Sequence, residues 1–180
     1  MLPNPTDDAE NYGTLPLMIR WSMRVLAALL LYPISALAAI PSPDASFYQK
    51  AAEYNLEEID GGRLAPQQAN DSAVRSFGTT LGKDHGTANR TLRGLAMMSH
   101  VDFPGAASDE TFFAKRAMLL TLTGDAFDRY FVEWQISLHQ EMISLFKQEI
   151  ESGLDPDAKN YASSNLPMLQ DHLELLLSLH

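Results

Sequence analysis

The sequence predicts an all-α fold, an antiparallel four-helix bundle, and three observations carry that prediction. The longest is the stretch GDAFDRYFVEWQISLHQEMISLFKQEIESG, residues 124–153, where Phe127, Phe131, Trp134, Leu138, Met142 and Leu145 recur at three- and four-residue steps. That spacing lays one apolar stripe along a helix. Three further segments of similar length carry the same period, with turn formers between them. No stretch shows the two-residue alternation of a half-buried strand.

Composition narrows the possibilities. The chain has 180 residues, 46% of them hydrophobic, enough for one domain with a substantial core. Thirteen Lys and Arg against 23 Asp and Glu give a formal charge of −10. Such an acidic chain is a poor partner for nucleic acid or for an anionic membrane surface. The absence of cysteine excludes disulfides, thiolate metal sites and cysteine nucleophiles. It also excludes a lipidated cysteine anchor.

Residues 1–17 are polar, acidic and rich in turn formers, and read as a disordered extension. Arg20 and Arg24 then precede a short apolar run, Val25 to Ile34, and Ala36-Leu37-Ala38 fits the small-x-small rule. This is the pattern of an export signal, with translation starting at Met18 or Met23 and cleavage before Ala39. The run is short for a membrane span. A membrane association would rest on an uncleaved signal alone. The expected division is therefore 1–38, extension plus signal, and 39–180, one helical domain, periplasmic or secreted by a Sec-type route.

Ile40-Pro41-Ser42-Pro43 makes a stiff tether. Asp44 or Ser46 is placed to cap the first helix, which runs to about Ala69. Phe47, Ala51, Tyr54 and Glu58 share one face of it, and Glu57 is expected toward solvent. Gly61-Gly62 and Pro66 should weaken or kink its second half, or the helix stops at Asp60. Asn70-Asp71-Ser72 recaps the chain for a second helix, whose stripe is Val74, Phe77, Leu81, His85, Ala88, Leu92 and Leu95. Pro104-Gly105 marks a loop. Asp109 starts a shorter helical piece that either extends the next helix or forms a crossover. The long helix follows, with Asp125 as N-cap and Gly153 in the left-handed conformation at its end. Asp155 as N-cap and Pro156 at the first position open the last helix, whose stripe is Ala162, Leu166, Leu169, Leu173, Leu176 and Leu177. Pro167 should kink it.

The segments FYQKAAEYNLEEIDGGRLA, VRSFGTTLGKDHGTANRTLRGLA and LTGDAFDRYFVEWQ through LPMLQDHL carry a family pattern. Their specific parts are Lys-Asp-His at 83–85, Gly-Asp-x-Phe-Asp-x-Tyr at 124–130 and Leu-Pro-x-Leu-x-x-His at 166–172. In combination they resemble the exported bacterial family of unknown function numbered 4142, over about residues 46–178. The resemblance implies a ferritin-like bundle and export, and no particular activity. Gly78 and Gly82 depart from it, standing where the family tends to have Ala and bulkier residues.

Each long helix offers one ligand-type residue near its inward face: Glu58, His85, His139 and His172. Convergence of these four in the bundle core would make a mononuclear metal site. Three imidazoles and a carboxylate suit Zn²⁺, Cu²⁺, Ni²⁺ or Fe²⁺. Asp128 and Tyr130 are candidates for an outer shell. Asp84 and Asp171 each precede a histidine, but consecutive helical residues do not face each other, so they are solvated or paired elsewhere. A ferritin-type di-iron site needs Glu-x-x-His pairs. The residues three before His85, His139 and His172 are Gly82, Ile136 and Leu169, so that chemistry is excluded. No Gly-x-Ser-x-Gly elbow and no phosphate loop occurs.

Two functions remain. One is a core metal or small-ligand binder in metal or stress homeostasis. The other is a non-enzymatic module that recognises an envelope partner and whose buried histidines are only structural. The oligomeric state is left open.

Overall fold

The computed structural model describes residues 43–180. The proposed signal, its start and its cleavage site lie outside the described residues. Within them the chain forms five helices and no strand: α1 Pro43–Gln68, α2 Ser72–Met98, α3 Glu110–Leu119, α4 Gly124–Ser152 and α5 Pro156–Leu179. None of these is long and apolar enough to cross a membrane.

Contacts at the two ends fix the helix directions. Asp44, in the first turn of α1, accepts the backbone N–H groups of Leu154 and Asp155, between α4 and α5. Asp155 in turn accepts from Tyr48 of α1 and from Ser99 at the end of α2. At the opposite end, Asp128 in the first turns of α4 accepts the N–H groups of Asn70 and Asp71 between α1 and α2. Thus α1 and α5 run one way, and α2 and α4 the other. Each neighbouring pair, α1–α2, α4–α5, α1–α4 and α2–α5, packs antiparallel. Hairpins join α1 to α2 and α4 to α5. The α2–α4 connection crosses the bundle, and α3 lies in that crossover.

Local chemistry explains most boundaries. Asp71, Asp109 and Asp155 each turn a carboxylate back onto the first orphan N–H groups of the helix that follows. Pro156 occupies the first turn of α5, where its missing N–H is no loss. Three capping expectations are corrected. Asp44 caps the α4–α5 turn instead of its own helix. Thr123, not Asp125, is the N-cap of α4, and Asp125 accepts from the Asn70 side chain. Gly153 is extended at φ −62° and not left-handed. Its lack of a side chain is still required, because a Cβ there would meet the Glu149 carboxyl and carbonyl.

The doubt over α1 is also resolved. It continues through Gly61, Gly62 and Pro66. The glycines mark a close crossing, since a Cβ on Gly62 would lie 2.6 Å from the Gly82 nitrogen and 2.7 Å from the Gly78 carbonyl oxygen. The apparent family departures at Gly78 and Gly82 belong to this contact, where two backbones approach directly. Helix α5 likewise continues through Pro167.

The apolar stripes meet as one core of Phe47, Phe77, Leu81, Leu92, Phe127, Phe131, Leu138, Met142, Phe146, Leu169 and Leu176. Leu177 is an exception and stays exposed. Glu57, expected in solvent, is buried, and loss of hydration pushes its carboxyl up to about 7.

Candidate metal centre

Halfway along the bundle the apolar core gives way to three imidazoles. His85 of α2 and His139 of α4 are fully buried, and His172 of α5 is 6% exposed. One nitrogen from each lies within 4.8 Å of the others. The ring centroids are 5.5 to 5.8 Å apart. His139 Nε2 and His172 Nδ1 approach to 3.4 Å. The edge of Phe77 closes against His172, with centroids 5.6 Å apart.

The outer nitrogen of each ring faces an oxygen. His85 Nδ1 lies 2.8 Å from Asn55 Oδ1 of α1. The orientation of that amide is set by its own partners. Asn55 Nδ2 donates to the Tyr161 hydroxyl, whose proton goes to the Ala88 carbonyl. His139 Nδ1 lies 2.9 Å from the Gln135 carbonyl oxygen and 3.4 Å from Glu58 Oε1. His172 Nε2 lies 3.3 Å from Asp84 Oδ2. A carbonyl or carboxylate oxygen brings no proton, so in all three cases the ring N–H is the donor.

This assigns the tautomers. Each neutral ring has one N–H, already committed outward. The inner atoms, His85 Nε2, His139 Nε2 and His172 Nδ1, therefore carry lone pairs. His85 Nε2 has no hydrogen-bond partner. Protonation does not relieve the arrangement. Burial holds His85 well below the usual imidazole range, with the neighbouring rings adding to the effect. Burial brings His139 down to about 3, against the opposing Gln135 carbonyl. His172 is lowered as well by burial, with Asp84 and Asp171 opposing.

Three converging lone pairs in an apolar core are what a cation needs. At a metal–nitrogen bond of about 2.05 Å, two tetrahedral ligands stand about 3.4 Å apart. The His139–His172 pair already has that separation. The third ring offers a nitrogen within 4.8 Å of the other two.

Of the residues singled out in the sequence, the three histidines come together and the carboxylate takes a different place. Glu58 is wholly buried beside His139, but on the outer, Nδ1 side of the ring. Neither of its oxygens has a hydrogen-bond partner. Burial, reinforced by Glu57, raises its carboxyl well above the ordinary range. Asp128 is engaged with the α1–α2 turn. Tyr130 precedes His139 by nine residues, ~14 Å along the helix axis, and packs on the core there. Neither belongs to the outer shell of the cluster.

Asn55 and Asp84 hold those outer positions. Asp84 is paired across the bundle with His172 and not with its neighbour His85, as the helical geometry required. Asn55 carried a faint signal. It lies on the Tyr48-Ala51-Ala52 face of α1, one turn before Glu58, where an amide is out of place unless it is bonded.

Comparisons with known proteins agree with the architecture. The family described as a domain of unknown function, DUF4142, matches residues 33–179. No curated protein matches the sequence. Among solved structures, the crystal structure of a candidate secreted protein, DUF305, from Streptomyces coelicolor is similar with a TM-score of 0.66. It covers 78% of this chain and 93% of that one at 17% identity, a likeness of fold alone. By the extent of the family match, the chain belongs to the DUF4142 family.

Proposed function

We propose that this protein is an exported metal-binding bundle that holds one transition-metal ion on His85, His139 and His172. The observation that supports this reading is the convergence of one nitrogen from each of three buried imidazoles within 4.8 Å, with His85 Nε2 left without a hydrogen-bond partner. A metal ion would satisfy all three at once.

The outer oxygens fit the same reading. Ligand histidines commonly pass their second N–H to a carboxylate or carbonyl, which fixes the tautomer and strengthens the donor. Asn55, the Gln135 carbonyl and Asp84 are placed to do so here. Glu58 serves as a buried carboxyl behind His139 and not as a fourth ligand. Three neutral nitrogen donors suit Zn²⁺, Cu²⁺, Ni²⁺ or Fe²⁺, and leave a fourth tetrahedral position for water or a small ligand.

The single long crossover is the connectivity of ferritin-like bundles, which also place metal ligands on facing helices. Export rests on the arginine-led apolar segment before Ala39, and the Streptomyces structure of similar fold is described as a candidate secreted protein. Metal or stress homeostasis outside the cytoplasm is the role this combination fits. A second reading, an envelope interaction module, draws on Phe113, Met118 and Leu120. These are half exposed on and just after α3.

Equilibrium dialysis against Zn²⁺, Cu²⁺, Ni²⁺ and Fe²⁺ tests the proposal. One ion per chain is expected in the wild type, and none in a folded His85→Ala variant. Equal uptake by both proteins would refute the tri-histidine site.

A further inference from the structure

The three rings are unequally held, and the difference marks a way in. His85 and His139 have no exposed surface, and their outer N–H groups end on fixed protein oxygens. The Asn55 amide is locked by Tyr161, and the Gln135 carbonyl is part of the α4 backbone. His172 differs on both counts. Its side chain is 8% exposed, and its partner Asp84 is 31% exposed, on a side chain reaching across from α2.

The charges around that ring are of one sign. Asp84 contacts it, and Asp171, the residue before it on the same helix, is exposed. No Lys or Arg bonds to either carboxylate among the described residues. An acidic patch alone would mean little. Behind this one lies the fully buried His85 Nε2, without a partner and facing the same cluster.

Resting on the metal reading above, we infer that Asp84 is the loading residue of the site and His172 its movable ligand. A hydrated divalent cation is drawn to Asp84 and Asp171, displaces the 3.3 Å contact between Asp84 and His172, and passes the turning ring to reach His85 and His139. After loading, Asp84 again accepts the outer N–H of His172. Asp84 thus has two effects: its hydrogen bond steadies His172 in the filled site, and its charge sets the rate at which the site fills. Surface charge of this kind acts chiefly on association.

The test is stopped-flow uptake of Co²⁺ by the full chain, followed through its visible absorption, with Zn²⁺ competition for the endpoint. Asp84→Asn preserves shape and hydrogen bonding while removing the charge. It should slow association on the order of tenfold, with one Co²⁺ per chain still bound at saturation. Asp171→Asn should slow it less, and added salt should slow the wild type more than either variant. Wild-type association rates in Asp84→Asn and in the double variant, with full stoichiometry, would overturn the loading role and leave the site standing. An unchanged association rate in Asp84→Asn with only faster dissociation would also overturn it, by making Asp84 a holding residue alone. A wild type that takes up no Co²⁺ or Zn²⁺ would overturn the site itself.

Discussion

Asn55 holds the His85 ring from a different helix, through a 2.8 Å bond between Oδ1 and Nδ1. With its own amide pinned by Tyr161, it leaves His85 only one tautomer, the one whose lone pair faces His139 and His172. Removing the amide releases that choice. Asn55→Ala is therefore expected to weaken metal affinity 10- to 100-fold, about the usual effect of losing such a partner. A competition titration against a chromophoric zinc chelator measures it. Unchanged affinity would mean the ring is positioned by packing alone.

The buried groups give the protein a particular acid response. The three histidines bind protons more weakly folded than unfolded, so they make stability fall as pH drops below about 6.5. For His139 the fall continues to about 3. Glu57 and Glu149, both raised to about 7, and Glu58 act oppositely. They lower stability as pH rises from 4.5. Between 4.5 and 6.5 the two sets oppose each other and the profile is shallow. Below 4.5 the histidines act without that opposition, and Asp44, Asp109 and Asp155, whose carboxyls are lowered, add to the loss. Metal-free wild type should lose thermal stability more steeply from pH 4.5 to 3.5 than His139→Gln. Parallel curves would contradict the buried neutral state of His139.

The α1–α2 crossing separates two glycines that look alike in sequence. A Cβ on Gly62 strikes the backbone of α2, whereas one on Gly82 meets nothing nearer than 3.8 Å. Gly62→Ala should cost about 2 kcal/mol or more, as overpacking does. Gly82→Ala should be neutral or stabilising by up to about 1 kcal/mol through helix propensity. Urea denaturation of the two variants decides the matter. Equal destabilisation would mean the crossing is not close-packed at Gly62.

Much of this was legible before the structure. The bundle followed from apolar periods and aspartate caps, both local signals. The convergence of the histidines was legible too, because each lies about the same distance from one shared end. His85 precedes Ser99 by fourteen residues, and His139 precedes Gly153 by fourteen. Other features depended on neighbours that no local pattern reveals. Gly62 read as a helix breaker because its reason for being glycine is the backbone of α2. Asp44 read as the cap of its own helix because the turn it serves is 110 residues away. Glu58 read as a ligand because helical phase reports which face a residue occupies, but not which side of a ring it meets.

Occupancy should also be visible in stability. If the ion binds only the folded state, a hundredfold excess of free metal over its dissociation constant adds about 2.7 kcal/mol. Zn²⁺ should therefore raise the melting temperature of the wild type by several degrees and leave His139→Gln unmoved. An equal shift in both would point to binding elsewhere.

The most direct measurement is the metal content of protein taken from the cell envelope without an affinity tag, by mass spectrometry, beside a His85→Ala, His139→Ala double variant. The tri-histidine account predicts near one transition-metal ion per chain in the wild type and none in a still-folded variant. Wild-type protein that is metal-free as isolated, and stays so when Zn²⁺, Cu²⁺, Ni²⁺ and Fe²⁺ are supplied, would contradict it.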